Sequence, residues 1–201
     1  MCSIICVTSR ASCTEDFLER IRKIAAAHPL YIILREKDLP DTGYLALYRR
    51  CEEICTAYNV PVIFHSHVQA ALAAGVRSIH LPLPVLRTLQ PGEIQRFELL
   101  GVSVHSAAEA VEAQKLGAGY LIAGHIFETD CKRGLAGRGT AYLQDVACAV
   151  CIPVYGIGGI TPENFPQILR TGAAGACVMS GLMRCAEPAA YLDEFRRCIT
   201  P

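Results

Sequence analysis

The 201-residue chain contains no tryptophan and no surplus of charge of either sign: 19 Lys and Arg balance 19 Asp and Glu. Without a net basic field, a nucleic acid or an anionic membrane surface is excluded as the main partner. A small metabolite stays open, because a few local basic residues suffice to build a pocket. Long apolar runs are also missing, and none approaches the ~20 residues that span a bilayer. The opening MCSIICVTSR lacks the basic start and long apolar stretch of a secretory leader. These absences point to a soluble, cytoplasmic protein. Charged residues make up only 19% of the chain against 52% hydrophobic, which excludes a disordered polymer. No linker, low-complexity tract or charge run divides the sequence. One domain over 1–201 is expected, long enough to bury a large core.

Cysteine, by contrast, is plentiful. There are 11, an odd number, and several lie inside apolar runs such as Ala176-Cys177-Val178. Free thiols acting as small core residues fit this better than a disulfide framework. Cys148 and Cys151 have CxxC spacing, yet no second pair follows at zinc-finger distance, so no structural metal is assigned.

Short β-rich apolar runs recur at Ser3–Thr8, Leu30–Arg35, Pro61–His65, Ser78–Leu81, Leu99–His105, Tyr120–His125, Ile152–Ile157 and Ala176–Ser180. Helical patterns such as Glu15–Ala27, Leu45–Tyr58, Ser106–Leu116, Pro162–Thr171 and Pro188–Cys198 lie between them. On the third of these, Ala107, Ala110 and Val111 keep the spacing of one helix face. Strands that are apolar throughout, rather than alternating, belong to a parallel sheet covered by helices. Eight of them at about 25 residues per βα unit predict a compact (β/α)8 TIM barrel. An open doubly wound sheet is the rival, but the run after Ala149 lacks the glycine fingerprint of a dinucleotide site.

In such a barrel the functional groups stand at the C-terminal ends of the strands. His65, His80, His105 and His125 end or nearly end strand runs, and His67 follows two residues after His65. One of them is expected to carry acid–base chemistry, since imidazole titrates near neutral pH. Arg35 and Lys37 fall on one side of the second run by alternation and form a candidate anion site. After the seventh and eighth strands come Gly158-Gly159 and Ser180-Gly181, where barrels commonly hold a phosphate on backbone N–H groups. His65-Ser66-His67, with His80 and His105, could approach one metal ion. No Asp or Glu stands at those strand ends to complete a hydrolytic centre, and no metal is assigned.

The stretches Gly101-Val-Ser-Val-His105-Ser106, Gly124-His125-Ile-Phe-Glu-Thr-Asp-Cys-Lys132-Arg-Gly134, Gly137-Arg-Gly139 and Tyr155-Gly-Ile-Gly-Gly-Ile160 resemble the thiamine phosphate synthase/TenI superfamily. They occur in order, and the resemblance runs from Leu34 to Gly181. It implies a (β/α)8 barrel that binds thiazole phosphates. Synthases of this superfamily carry Asn-Asp after the third strand and Gly-Gln-x-Asp after the fourth, the two Asp holding Mg²⁺. Here those positions read His65-Ser66 and Pro82-Leu83-Pro84-Val85, and neither Ser66 nor Val85 can replace an anionic oxygen ligand. The second-strand Gln of synthases is Ile33, although Arg35 and Lys37 persist.

The motif around Gly124-His125 resembles the TenI branch, whose members are thiazole tautomerases that aromatise a carboxythiazole phosphate without metal. The resemblance makes His125 the acid–base residue, a role that fits proton transfer. Arg35, Lys37, His105 and Lys132 are the expected substrate-binding residues, and Gly158, Gly159, Ser180 and Gly181 the phosphate-binding ones. The leading expectation is therefore an isomerase with no cofactor and a small phosphorylated thiazole as its ligand. A homo-oligomer is compatible with the sequence. The alternatives are a synthase-like transferase with a relocated metal and a non-catalytic TenI-type regulator that binds a thiazole or thiamine phosphate. A Schiff-base aldolase using Lys132 is weaker, because that residue lies seven positions past the strand end.

Overall fold

The computed structural model describes residues 3–129 and 134–199. Its strands are β1 (Ser3–Val7), β2 (Tyr31–Ile33), β3 (Val62–His65), β4 (Ser78–Pro82), β5 (Leu99–Val104), β6 (Tyr120–Gly124), β7 (Val154–Ile157) and β8 (Gly175–Val178). Each pairs in parallel with the next, and β8 returns to β1 with Ser3 opposite Gly175 and Cys6 opposite Val178. The sheet is a closed eight-stranded barrel, as expected, and not the open sheet.

Around it run α1 (Phe17–Ala26), α2 (Asp41–Thr56), α3 (Val68–Ala74), α4 (Leu83–Leu86), α5 (Pro91–Ile94), α6 (Ala107–Lys115), α7 (Gly139–Cys148), α8 (Phe165–Leu169), α9 (Ser180–Arg184) and α10 (Pro188–Arg197). Among the described residues no helix is long and apolar enough to cross a membrane. Helix starts follow local chemistry. Asp16 accepts from the Glu19 N–H and Ser106 from the Glu109 N–H, each satisfying a donor that has no partner within the helix.

Alternation along the strands builds two apolar layers. Ile4 and Cys6 face the helices, where they join Ile32, Phe64, Phe165 and Phe195. Ile5 and Val7 point inward and pack with Ile33, Ile63, Tyr120, Ile122, Tyr155 and Cys177. Both faces of the sheet are buried, which is why the strand runs read as continuously apolar. The thiols of Cys6, Cys51, Cys55 and Cys177 are free and buried, as expected, whereas Cys148 and Cys151 are free and exposed.

Two local expectations shift. The second strand is only Tyr31–Ile33, because beyond Leu34 the backbone turns to Thr8, whose hydroxyl accepts from the Arg35 N–H at 3.0 Å. On α6 the buried pair is Ala110 and Ala113, with Ala107 and Val111 only half-buried. This helix packs on β5 and β6, so the i, i+3 pair over those strands is the one covered.

Candidate active site

The inner layer forms the floor of a cavity of about 360 Å³ at the C-terminal ends of the strands. That volume suits a small ligand. Its lining takes Arg35 from after β2, His65 from β3, His80 from β4, Ser103 from β5, His105 from just beyond β5 and His125 from just beyond β6. Gly158 and Gly159 follow β7 and line one wall, with Ser180 and Gly181 at the start of α9. Seven of the nine expected site residues therefore meet in one cavity.

The other two do not. Lys37 is exposed and is not part of the lining. Alternation put it beside Arg35, but β2 has already ended, and Glu36 is pulled inward instead. Its buried carboxylate accepts from the Thr8 hydroxyl at 2.7 Å and from the Arg10 N–H at 3.1 Å. This pairing fixes the chain between Arg35, which faces the cavity, and Asp38, which pairs outside with Arg10. Partial burial and the Arg35 charge lower the Lys37 pKa. Lys132 lies outside the described residues. His67 is also diverted: Nδ1 meets Asp41 at 2.6 Å and the ring stacks on Tyr44.

Hydrogen bonds settle which nitrogen of two cavity imidazoles holds the lone pair. Nε2 of His125 lies 3.3 Å from the Leu135 carbonyl. A carbonyl only accepts, so the ring proton of the neutral form is on Nε2 and Nδ1 is the base. In His105 the geometry is reversed. Nδ1 donates to the Gly124 carbonyl at 3.2 Å and Nε2 is left as acceptor. His125 is 8% exposed, and its backbone is held from both sides. The Ile126 N–H donates to Ile157 O, and the Arg138 N–H to His125 O. Gly158 has φ +101°, and a methyl group on it would lie 2.9 Å from the His125 Cα. Glycine there lets the turn after β7 pass close against His125.

His65 and His80 stand deeper and stack with ring centroids 5.8 Å apart. His65 also meets the Ser66 hydroxyl through Nδ1 at 2.8 Å. Burial, then the Arg35 and Lys37 charges, push His65 down to about 3, and burial holds His80 well below the ordinary value. Both are neutral at physiological pH. His80 joins Tyr120 Oη (3.2 Å) to Ser103 Oγ (2.8 Å) through its two nitrogens. Burial keeps the phenol protonated, so it can donate to Nδ1, and the tautomer that accepts it carries its proton on Nε2, beside the Ser103 hydroxyl.

Burial of these histidines has a measurable consequence. Their folded-state values lie below the unfolded 6.5, so as pH falls the unfolded chain binds protons that the folded one refuses. Stability should be full above pH 6.5 and fall toward pH 3, by up to about 1.4 kcal/mol per pH unit for each such group. Thermal melts across this range should show the decline, and His65→Asn should flatten part of it. An unchanged slope in that variant would contradict the assignment.

A family model described as thiamine monophosphate synthase matches residues 4–182. The Streptococcus pneumoniae protein named thiamine-phosphate synthase 2 is 33% identical over 186 residues, 90% of this chain and 87% of its own. The thiamine-phosphate synthase of Moorella thermoacetica is 34% identical over 203 residues, covering 98% and 94% respectively. Among solved structures, thiamine phosphate pyrophosphorylase from Pyrococcus furiosus matches with a TM-score of 0.82 at 26% identity, over 98% of this chain and 95% of that one. These names correct the balance drawn from the sequence: they favour the transferase reading, which stood second there, over the isomerase.

Proposed function

The chain belongs to the thiamine monophosphate synthase family, and on that premise we propose that its cavity binds a phosphorylated thiazole and moves a proton around the ring by imidazole catalysis. The observation that carries this reading is the ionic character of the lining. It holds four histidines and Arg35, and no Asp or Glu among the described residues. The Mg²⁺ that the resemblance implies for synthases needs anionic oxygen ligands. Ser66 and Val85, at the positions concerned, supply none, so the lining does not fit that ion.

In this reading Nδ1 of His125 takes the proton from one ring carbon, and the resulting imidazolium returns it at another ring atom. No net proton is gained or lost, as an isomerisation requires. Arg35 would meet the substrate carboxylate as a charge-assisted donor. His105 and the Ser103 hydroxyl would orient the ring. The phosphate would lie against Gly158, Gly159, Ser180 and Gly181, where glycine lets the backbone approach the oxygens.

The transferase reading has its own support, the names of the relatives. Two assays separate them. NMR should show the non-aromatic carboxythiazole phosphate converting faster with the protein than without it, in EDTA and equally with added Mg²⁺. Strictly Mg²⁺-dependent joining of a pyrimidine pyrophosphate to the thiazole phosphate would establish the synthase instead. Saturable binding with neither reaction would point to the regulator.

A further inference from the structure

One polar group of the cavity comes from beyond the residues that the family model matches. Tyr191 belongs to α10, beyond residue 182, where the family match ends, yet it lines the same cavity. Its phenol end is pressed against Gly181. A methyl group on that glycine would collide with Oη and lie 2.9 Å from Cζ. The ring is held edge-on against Phe195, with centroids 5.4 Å apart, and Phe195 is fully buried. Its position therefore does not depend on the hydroxyl.

The hydroxyl itself has no hydrogen-bond partner among the described residues, and it is not sealed off from the cavity. Phenols in protein interiors normally find one. Burial, reinforced by the nearby Cys185 and the carboxylates of Glu163 and Glu194, pushes its pKa up to about 12. It is a neutral donor across the working range, aimed at the wall formed by Ser180 and Gly181.

We propose that the Tyr191 hydroxyl donates a hydrogen bond to a phosphate oxygen of the bound ligand and so favours phosphorylated thiazoles over the corresponding alcohols. The inference rests on the reading that the phosphate occupies the wall of Gly158, Gly159, Ser180 and Gly181. A neutral hydroxyl suits this task. It adds a directed donor beside backbone N–H groups, and Phe at the same position would fill the same space without it.

Calorimetric titration of the full chain with a thiazole phosphate and with the matching alcohol provides the test. Tyr191→Phe should weaken phosphate binding about tenfold, leave alcohol binding unchanged and keep the parent's melting temperature. Equal affinities of parent and variant for the phosphate, or an equal loss for both ligands, would overturn the assignment. Ser180→Asp separates this failure from failure of the premise. Asp is well tolerated at a helix start, and its charge should repel a phosphate on that wall but not the alcohol. If Ser180→Asp discriminates and Tyr191→Phe does not, the wall stands and Tyr191 has no part in it. If neither discriminates, the phosphate lies elsewhere.

Discussion

His125→Gln should lower turnover by about 10²–10⁴-fold while the melting temperature and the affinity for a thiazole phosphate stay near the parent's. The residue qualifies by position and by proton inventory. It stands just past β6 at the cavity wall, with Nε2 committed to the Leu135 carbonyl and Nδ1 carrying the lone pair. Gln reaches the Nε2 position and keeps an N–H for that carbonyl, but it has no basic nitrogen. If His125 served only to tether the Leu135 segment, His125→Gln would retain full turnover, and a truncation such as His125→Ala would loosen the fold instead. Full turnover in the Gln variant would move the shuttle to His105, whose Nδ1 donates to Gly124 O and leaves Nε2 as acceptor.

The second large effect is expected at Gly101. It lies on β5 opposite His80 on one side and Tyr120 on the other. A Cβ there would overlap Cζ and Oη of Tyr120 and come within 2.5 Å of Nδ1 of His80. The Tyr120–His80–Ser103 relay passes through the space that glycine leaves empty. Tyr120 is 2% exposed and wedged between Tyr31 and Tyr155 at 6.0 Å from each. It has nowhere to retreat. Gly101→Ala should cost roughly 3 kcal/mol, the upper end of overpacking penalties, and should degrade ligand affinity through a displaced Ser103. Chemical denaturation and a binding titration on one sample would test both, and a stability within about 0.5 kcal/mol of the parent's would show that the barrel interior yields.

What could be read from the sequence followed from burial. All eight strands were visible because Ile4, Ile5, Cys6 and their counterparts are buried on both faces, so the apolar runs are unbroken. The strand ends then located Arg35, His105, His125 and the two glycine-bearing turns. Alternation failed where hydrogen bonding took over, as at Glu36, whose tie to Thr8 and Arg10 turned Lys37 out to solvent. Short helices such as α4 (Leu83–Leu86) and α5 (Pro91–Ile94) were too brief to show a period. His80 could be placed at a strand end, but its burial against Tyr120 depends on an absent side chain at position 101, which no periodicity reports. Tyr191 was hidden for another reason: an aromatic on an amphipathic helix looks like core packing, and most of its ring is used that way.

Barrel closure also ties the site to parts of the chain that are far apart in sequence. β1 has both of its partners only when residues 175–178 are available to pair with residues 3–6. Without that pairing β1 and β8 would each leave a parallel edge unpaired, an arrangement open to association with other chains. The cavity draws on Val7 from β1 and Tyr191 from α10, so its lining needs both of these distant elements in place. The β8–β1 pairing closes the wall, and Tyr191 on α10, further along the chain, adds to the pocket it encloses.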